Sequence, residues 1–181
     1  YLKFLTMLLA TFGFAIVNGQ TALDCTTPID VSAGGVFTAP AVTGVLEDMC
    51  SNVSGPTNSL WYVFTAPGNG DLTVSSIIPG SGVDTQLGIS EGFGANGTCG
   101  TLVSLGCNDD FTGSSPYDSE ATVPVLAGGV YYIEWTDGYS ALGFDFDVSF
   151  VPAPDALSCA TAIDVSAGGV FTAPAVTGVL E

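Results

Sequence analysis

Gly143-Phe144-Asp145-Phe146-Asp147-Val148-Ser149-Phe150 is the stretch that decides the fold. Phe144, Phe146, Val148 and Phe150 recur at every second position, with Asp145, Asp147 and Ser149 between them. A period of two puts the apolar set on one face of an extended chain and the polar set on the other, which is a half-buried β-strand. Just upstream, residues 129–135 place Tyr131, Ile133 and Trp135 on one face, opposite Tyr132 and Glu134. Further out, residues 71–78 group Leu72, Val74 and Ile78, and residues 84–90 bury Leu87 and Ile89. Residues 60–64 are apolar on both faces, as in a central strand between two covers. Residues 101–107 and 121–126 complete the set. Pro124 marks the last of these as an edge strand, because proline cannot donate to a ladder. Trp61 and Trp135 lie in apolar runs and are expected in the core.

Turn chemistry separates the runs. Pro67-Gly68-Asn69-Gly70, Pro79-Gly80-Ser81-Gly82 and Ala127-Gly128-Gly129 supply the residues that bends require. No segment after Gly19 has helical periodicity. The expected fold is all-β: a jelly-roll-like β-sandwich of about eight or nine antiparallel strands, following an N-terminal signal peptide.

Charge excludes whole classes of function. The chain has 18 acidic residues, one basic residue and no histidine. Nothing can neutralise phosphates, so nucleic-acid binding is excluded. Histidine-based metal sites, Ser-His-Asp triads and Cys-His dyads are excluded by composition. The single basic residue, Lys3, precedes an apolar run over residues 4–17, and Val17-Asn18-Gly19 fits a signal-peptidase site. The run is shorter than the ~20 residues needed to span a bilayer, so the mature chain is expected to start at Gln20 without a transmembrane span. It would then hold 18 carboxylates and no Lys or Arg.

The chain repeats itself. Residues 157–181 match residues 23–47 at all but three of 25 positions, offset by 134 residues. This gives a signal peptide over 1–19, a repeat unit over 20–151, a Pro-containing linker over 152–156 and the start of a second unit over 157–181. A period this long means tandem beads rather than a solenoid. Export implies an oxidising compartment, so disulfides are expected. Four cysteines allow three pairings; the preferred one joins Cys25 to Cys50 and Cys99 to Cys107, with Cys159 belonging to the second copy.

The carboxylates offer one candidate chemistry. Asn108-Asp109-Asp110 closes a strand before a Gly/Ser loop, and Asp84 opens another strand. Hard oxygen ligands of this kind suit Ca²⁺. Asp118 and Glu91 are further candidates, and the spacing of an EF-hand is missing. A solvated turn is the alternative reading of the same residues. Asp109/Asp110 and Asp145/Asp147 are the carboxylate pairs a glycosidase would draw on, but adjacent loop residues, or alternate residues on one strand face, do not frame a scissile bond. Tyr139, after Asp137-Gly138, is the better placed aromatic for contacting a ligand. Asn52-Val53-Ser54 and Asn96-Gly97-Thr98 match the glycosylation sequon.

The ordered series residues 60–67 (LWYVFTAP), 84–87 (DTQL), 107–110 (CNDD), 127–133 (AGGVYYI), 137–139 (DGY) and 143–146 (GFDF) resembles bacterial pre-peptidase C-terminal domains. Related modules recur in tandem in secreted and cell-surface proteins of Bacteroidetes-type bacteria. The resemblance implies a calcium-stabilised, non-catalytic β-sandwich module that serves a structural or adhesive role. Its implied partners are neighbouring repeats and extracellular polysaccharide or protein. The alternative is a substrate-binding accessory module of a secreted hydrolase.

Overall fold

The computed structural model describes residues 21–47, 50, 55–79, 82–92, 102–111 and 117–154. The signal-peptide stretch, Cys99, the two sequons and the second copy over 157–181 lie outside the described residues. Among the described residues every regular element is a strand. They are β1 (Ile29–Asp30), β2 (Gly35–Ala39), β3 (Gly44–Val45), β4 (Asn58–Thr65), β5 (Gly70–Ser75), β6 (Gln86–Gly92), β7 (Leu102–Asn108), β8 (Glu120–Val125), β9 (Val130–Thr136) and β10 (Phe144–Pro152).

The strands form two sheets. One runs β1-β4-β9-β6-β7, with β3 also pairing β4; the other runs β2-β10-β5-β8. All pairings are antiparallel except β1 with β4, which is parallel. β8 is an edge strand, as Pro124 demands. The strand containing Leu72 and Val74 stops at Ser75, so Ile78 lies beyond it.

The alternation translates directly into packing. Leu60, Tyr62, Phe64, Leu87, Ile89, Ile133 and Trp135 point from the larger sheet into the interior, where they meet Leu72, Val74, Val123, Phe146 and Val148 of the smaller one. Phe146 stands at the centre, 4.8 Å from the Tyr62 ring, 5.5 Å from Trp135 and 5.6 Å from Phe37. Aromatic rings bury the largest apolar areas in the chain, at about 25 cal/mol per Å². Residues 60–64 are apolar on both faces because the larger sheet is covered on its outside too. There Trp61 and Tyr132 pack with Cys25 in a second, smaller core. Glu134 shares that outer face and is buried, with Glu47 N donating to its Oε1 at 2.9 Å. At the opposite pole, β10 runs on through Pro152, and Ala153 N donates to the Asn69 carbonyl at 2.8 Å.

The disulfide pairing differs from the expectation. Cys50 is bonded to Cys107, so neither Cys25–Cys50 nor Cys99–Cys107 forms. Cys25 is also disulfide-bonded. The proximity in sequence that suggested Cys99–Cys107 is outweighed by the sheet: Gly88 pairs with Cys107, and Cys50 lies beside that pair, with its Sγ 3.2 Å from the Leu87 carbonyl oxygen.

Candidate metal centre

β6 and β7 are antiparallel neighbours, with Leu87 opposite Asn108. The start of β6 and the end of β7 therefore lie at the same pole of the sandwich. Asp84 precedes β6 by two residues, and Asp109 and Asp110 follow β7 directly. One carboxylate oxygen from each of Asp84, Asp109 and Asp110 lies within 4.8 Å of the others. Asp84 and Asp109 are half-buried and Asp110 is exposed.

A layer of hydroxyls behind the acids sets their spacing. Ser76, Thr85 and Ser119 are buried. Ser76 Oγ and Thr85 Oγ1 are 2.7 Å apart, and Ser119 N donates to both, at 2.9 and 3.1 Å. Ser119 Oγ lies 2.5 Å from the Thr85 carbonyl oxygen and 2.6 Å from that of Asp109. One side chain thus ties the backbone next to Asp84 to the backbone of Asp109. Glu120 N donates to Asn108 Oδ1 at 3.0 Å, which fixes the end of β7 from the other sheet. Serines and threonines in loops carry no periodic signal, so the sequence did not single out this layer.

The electrostatics are those of acids held together. Burial, and then the charges of Asp110 and Asp109, push the Asp84 carboxyl above its ordinary range. Burial raises Asp109 too, with Asp110 adding to the shift, while a hydrogen bond from the Tyr139 hydroxyl works against it. Asp109 Oδ1 is buried with no hydrogen-bond partner. Tyr139, the sequence's ligand-contact candidate, therefore reaches the acids while staying 52% exposed. Asp118 contributes a backbone carbonyl to Phe111 N at 2.8 Å, but its carboxylate is not among the converging three. Glu91 is seven residues along from Asp84, roughly 20 Å away at ~3.3 Å per strand residue. Asp145 and Asp147 lie on the outer face of the smaller sheet, where Thr38 Oγ1 donates to Asp145 at 2.7 Å.

The donor set fits a calcium ion. Oxygens bound at ~2.4 Å from one ion lie up to ~4.8 Å apart, which is the spread of these three groups. The orphaned Asp109 oxygen supplies a lone pair with no competing donor.

A second carboxylate at the same pole was missed. Asp137 follows β9 and accepts from Thr57 N at 2.6 Å, Asn58 Nδ2 at 2.7 Å, Asn58 N at 2.8 Å and Thr57 Oγ1 at 2.9 Å. Burial alone would raise its pKa, but the donors of Asn58 and Thr57 outweigh that and hold it at about 2.

No family model matches the chain, and no curated protein matches it. Among solved structures, it is similar to the pre-peptidase C-terminal domain of collagenase from Bacillus anthracis, at 10% identity over 68% of this chain and 94% of that one, with a TM-score of 0.40. It is also similar to PliG of Aeromonas hydrophila, a periplasmic inhibitor of g-type lysozyme, at 16% identity over 68% of this chain and 96% of that one, with a TM-score of 0.39. The first of these belongs to the family that the sequence pattern resembles, and this chain itself is an all-β sandwich of two sheets.

Proposed function

We propose that this chain is a non-catalytic, calcium-stabilised β-sandwich module of a secreted or cell-surface protein, with a structural or adhesive role. Calcium is held by Asp84, Asp109 and Asp110, and the partners of the module are neighbouring repeats of the same chain. The observation that carries this reading is the convergence of three carboxylates around the buried, unpartnered Asp109 Oδ1. The chain has a single basic residue in 181, so lysine and arginine cannot neutralise such a cluster. A divalent ion turns the repulsion into a crosslink between the β5–β6 connection and the end of β7. A disulfide and an apolar N-terminal stretch agree with an exported protein.

Tyr139 supports a second reading, that of an accessory module gripping extracellular polysaccharide or protein. Its ring is half exposed beside the acids, where a bound partner could stack on it.

Thermal melting of the full chain separates an ion site from general screening. The expected result is a large rise in millimolar Ca²⁺ over EDTA, and a smaller one in NaCl at matched ionic strength. Equal rises in the two salts would leave a turn of solvated acids and sink the calcium reading.

A further inference from the structure

β6 and β9 are neighbours in the larger sheet, and their register sets Gln86 opposite Thr136. The next pair along, Leu87 and Trp135, points into the core, so Gln86 and Thr136 turn to the outer face. There they are 2% and 4% exposed, and the Thr136 hydroxyl donates to the Gln86 amide oxygen. The chain then closes over them. Asp137 is anchored by its four bonds from Thr57 and Asn58. The following residue, Gly138, lies so near that a Cβ on it would sit 2.9 Å from Gln86 Oε1. Glycine is what lets the backbone cover the amide this closely. Glu134, also buried, is two residues back along β9 on the same face, ~7 Å along the strand from Thr136.

We propose that Thr136 and Gln86 react with each other to form an intramolecular ester that cross-links β6 to β9. Thr136 Oγ1 adds to Gln86 Cδ. The Oγ1–Cδ bond forms, the Cδ–Nε2 bond breaks, and the hydroxyl proton leaves with the nitrogen as ammonia. No electrons are transferred and no co-reactant is consumed. Glu134 takes the hydroxyl proton and passes it to the departing nitrogen. Asp137 is unsuited to that task, because donors occupy its oxygens and hold its carboxyl at about 2, which makes it a weak base.

Proximity supplies the rate. Groups fixed as register partners react as though at an effective concentration of ~10⁵ M or more. The β-branched threonine side chain holds its hydroxyl in few rotamers. Direction comes from the leaving group. An amide is more stable than an ester, but ammonia is protonated in neutral water and does not return to a covered site. Burial beneath Gly138 also keeps water from hydrolysing the product. The bond joins two interior strands of the larger sheet, so it resists their separation under a pulling force. It needs no metal and stands or falls independently of the acid site.

Mass spectrometry of the full chain, with its disulfides reduced, tests this. The expected mass is one ammonia below that of the sequence. Digestion at Asp and Glu should release one species that joins the peptide of Gln86 to the peptide of Thr136. Ammonia is also lost when Asn69-Gly70 cyclises, so the joined peptide decides. Hydroxylamine, which cleaves esters and spares amides, should part the isolated species in two. Thr136→Ser keeps a hydroxyl and should keep the link. Thr136→Val keeps the shape and should lose the link while the β-sheet circular dichroism is unchanged. Glu134→Gln should leave most of the chain unlinked. Separate Gln86 and Thr136 peptides from the wild-type chain, or a joined species that persists in Thr136→Val, overturn the proposal. Full linking in Glu134→Gln overturns the role given to Glu134.

Discussion

Two carboxylate sites share one pole of the sandwich and handle negative charge in opposite ways. Asp137 is surrounded by donors from Thr57 and Asn58, and its carboxyl is held at about 2. Asp84, Asp109 and Asp110 are gathered around a buried oxygen with no donor, and the carboxyls of Asp84 and Asp109 are pushed up. The first site is completed by the chain's own N–H and O–H groups. The second has no such donor at its buried oxygen, and it is the site for which we propose a cation. With almost no lysine or arginine to draw on, these are the two means left to stabilise a partly buried acid.

The disulfide is the largest lever on this contrast, because Cys107 sits two residues before Asp109. Cys50→Ser/Cys107→Ser opens a link across 57 residues, which chain entropy values at about 4 kcal/mol, or roughly 15 °C in melting temperature. Calcium titration of the same variant should show weakened binding, since the end of β7 is released, while the Asp137 site is untouched. Unchanged calcium affinity would show that the hydroxyl layer alone positions the acids.

Next comes the ion itself. At 100 times its dissociation constant, Ca²⁺ should add ~2.7 kcal/mol, roughly 10 °C. Asp109→Asn should abolish the calcium-specific part and leave the NaCl response. In EDTA the raised carboxyls have a signature of their own. The folded state binds protons more tightly than the unfolded chain, so these two groups should add stability as pH falls toward the carboxylate range. A calcium response that survives Asp109→Asn would move the ion elsewhere.

Asp137 should show the reverse sign. Its carboxyl lies below the unfolded value of ~3.9, so its contribution is full above about pH 4 and disappears as pH falls toward 2. Asp137→Asn should cost about 1–1.5 kcal/mol at pH 7 once solvent screening at this partly exposed site is counted, and only a small fraction of that at pH 2. An acid melt in which the variant loses as much at pH 2 as at pH 7 would assign the loss to packing.

The smallest effect belongs to Tyr139→Phe. Losing the donor to Asp109 should lower the metal-free melting temperature by only about a degree or two. A much larger drop would make the β9–β10 loop part of the fold's support.

The strands with apolar alternation were legible in the sequence because burial on one face writes itself at period two. Phe144, Phe146 and Val148, or Leu87 and Ile89, need no tertiary knowledge to be placed inside. Pro124 announced its edge. The meeting of Asp84 with Asp109 and Asp110 could be read once two neighbouring strands were assigned, since one group opens a strand and the other closes one. β1, β2 and β3 escaped because two of them are two residues long and Gly35–Ala39 has no polar-apolar alternation. The pairing of Cys50 with Cys107 depends on which loop crosses which face, and that information is not local. Asp137 looked like an ordinary turn residue, because its donors lie 79 and 80 residues away.

The place of β2 also sets the order in which the molecule can be made. Thr38, near the start, bonds Asp145 across 107 residues, and all of β2's sheet pairing is to β10. The smaller sheet cannot close until the end of the unit has left the ribosome, and an early strand must wait unpaired for the last. Contacts this distant in sequence slow folding, since loop-closure entropy is spent before the pairing returns it. A chain that closes this late stays loose for longer after synthesis, a property that suits the export we propose for it.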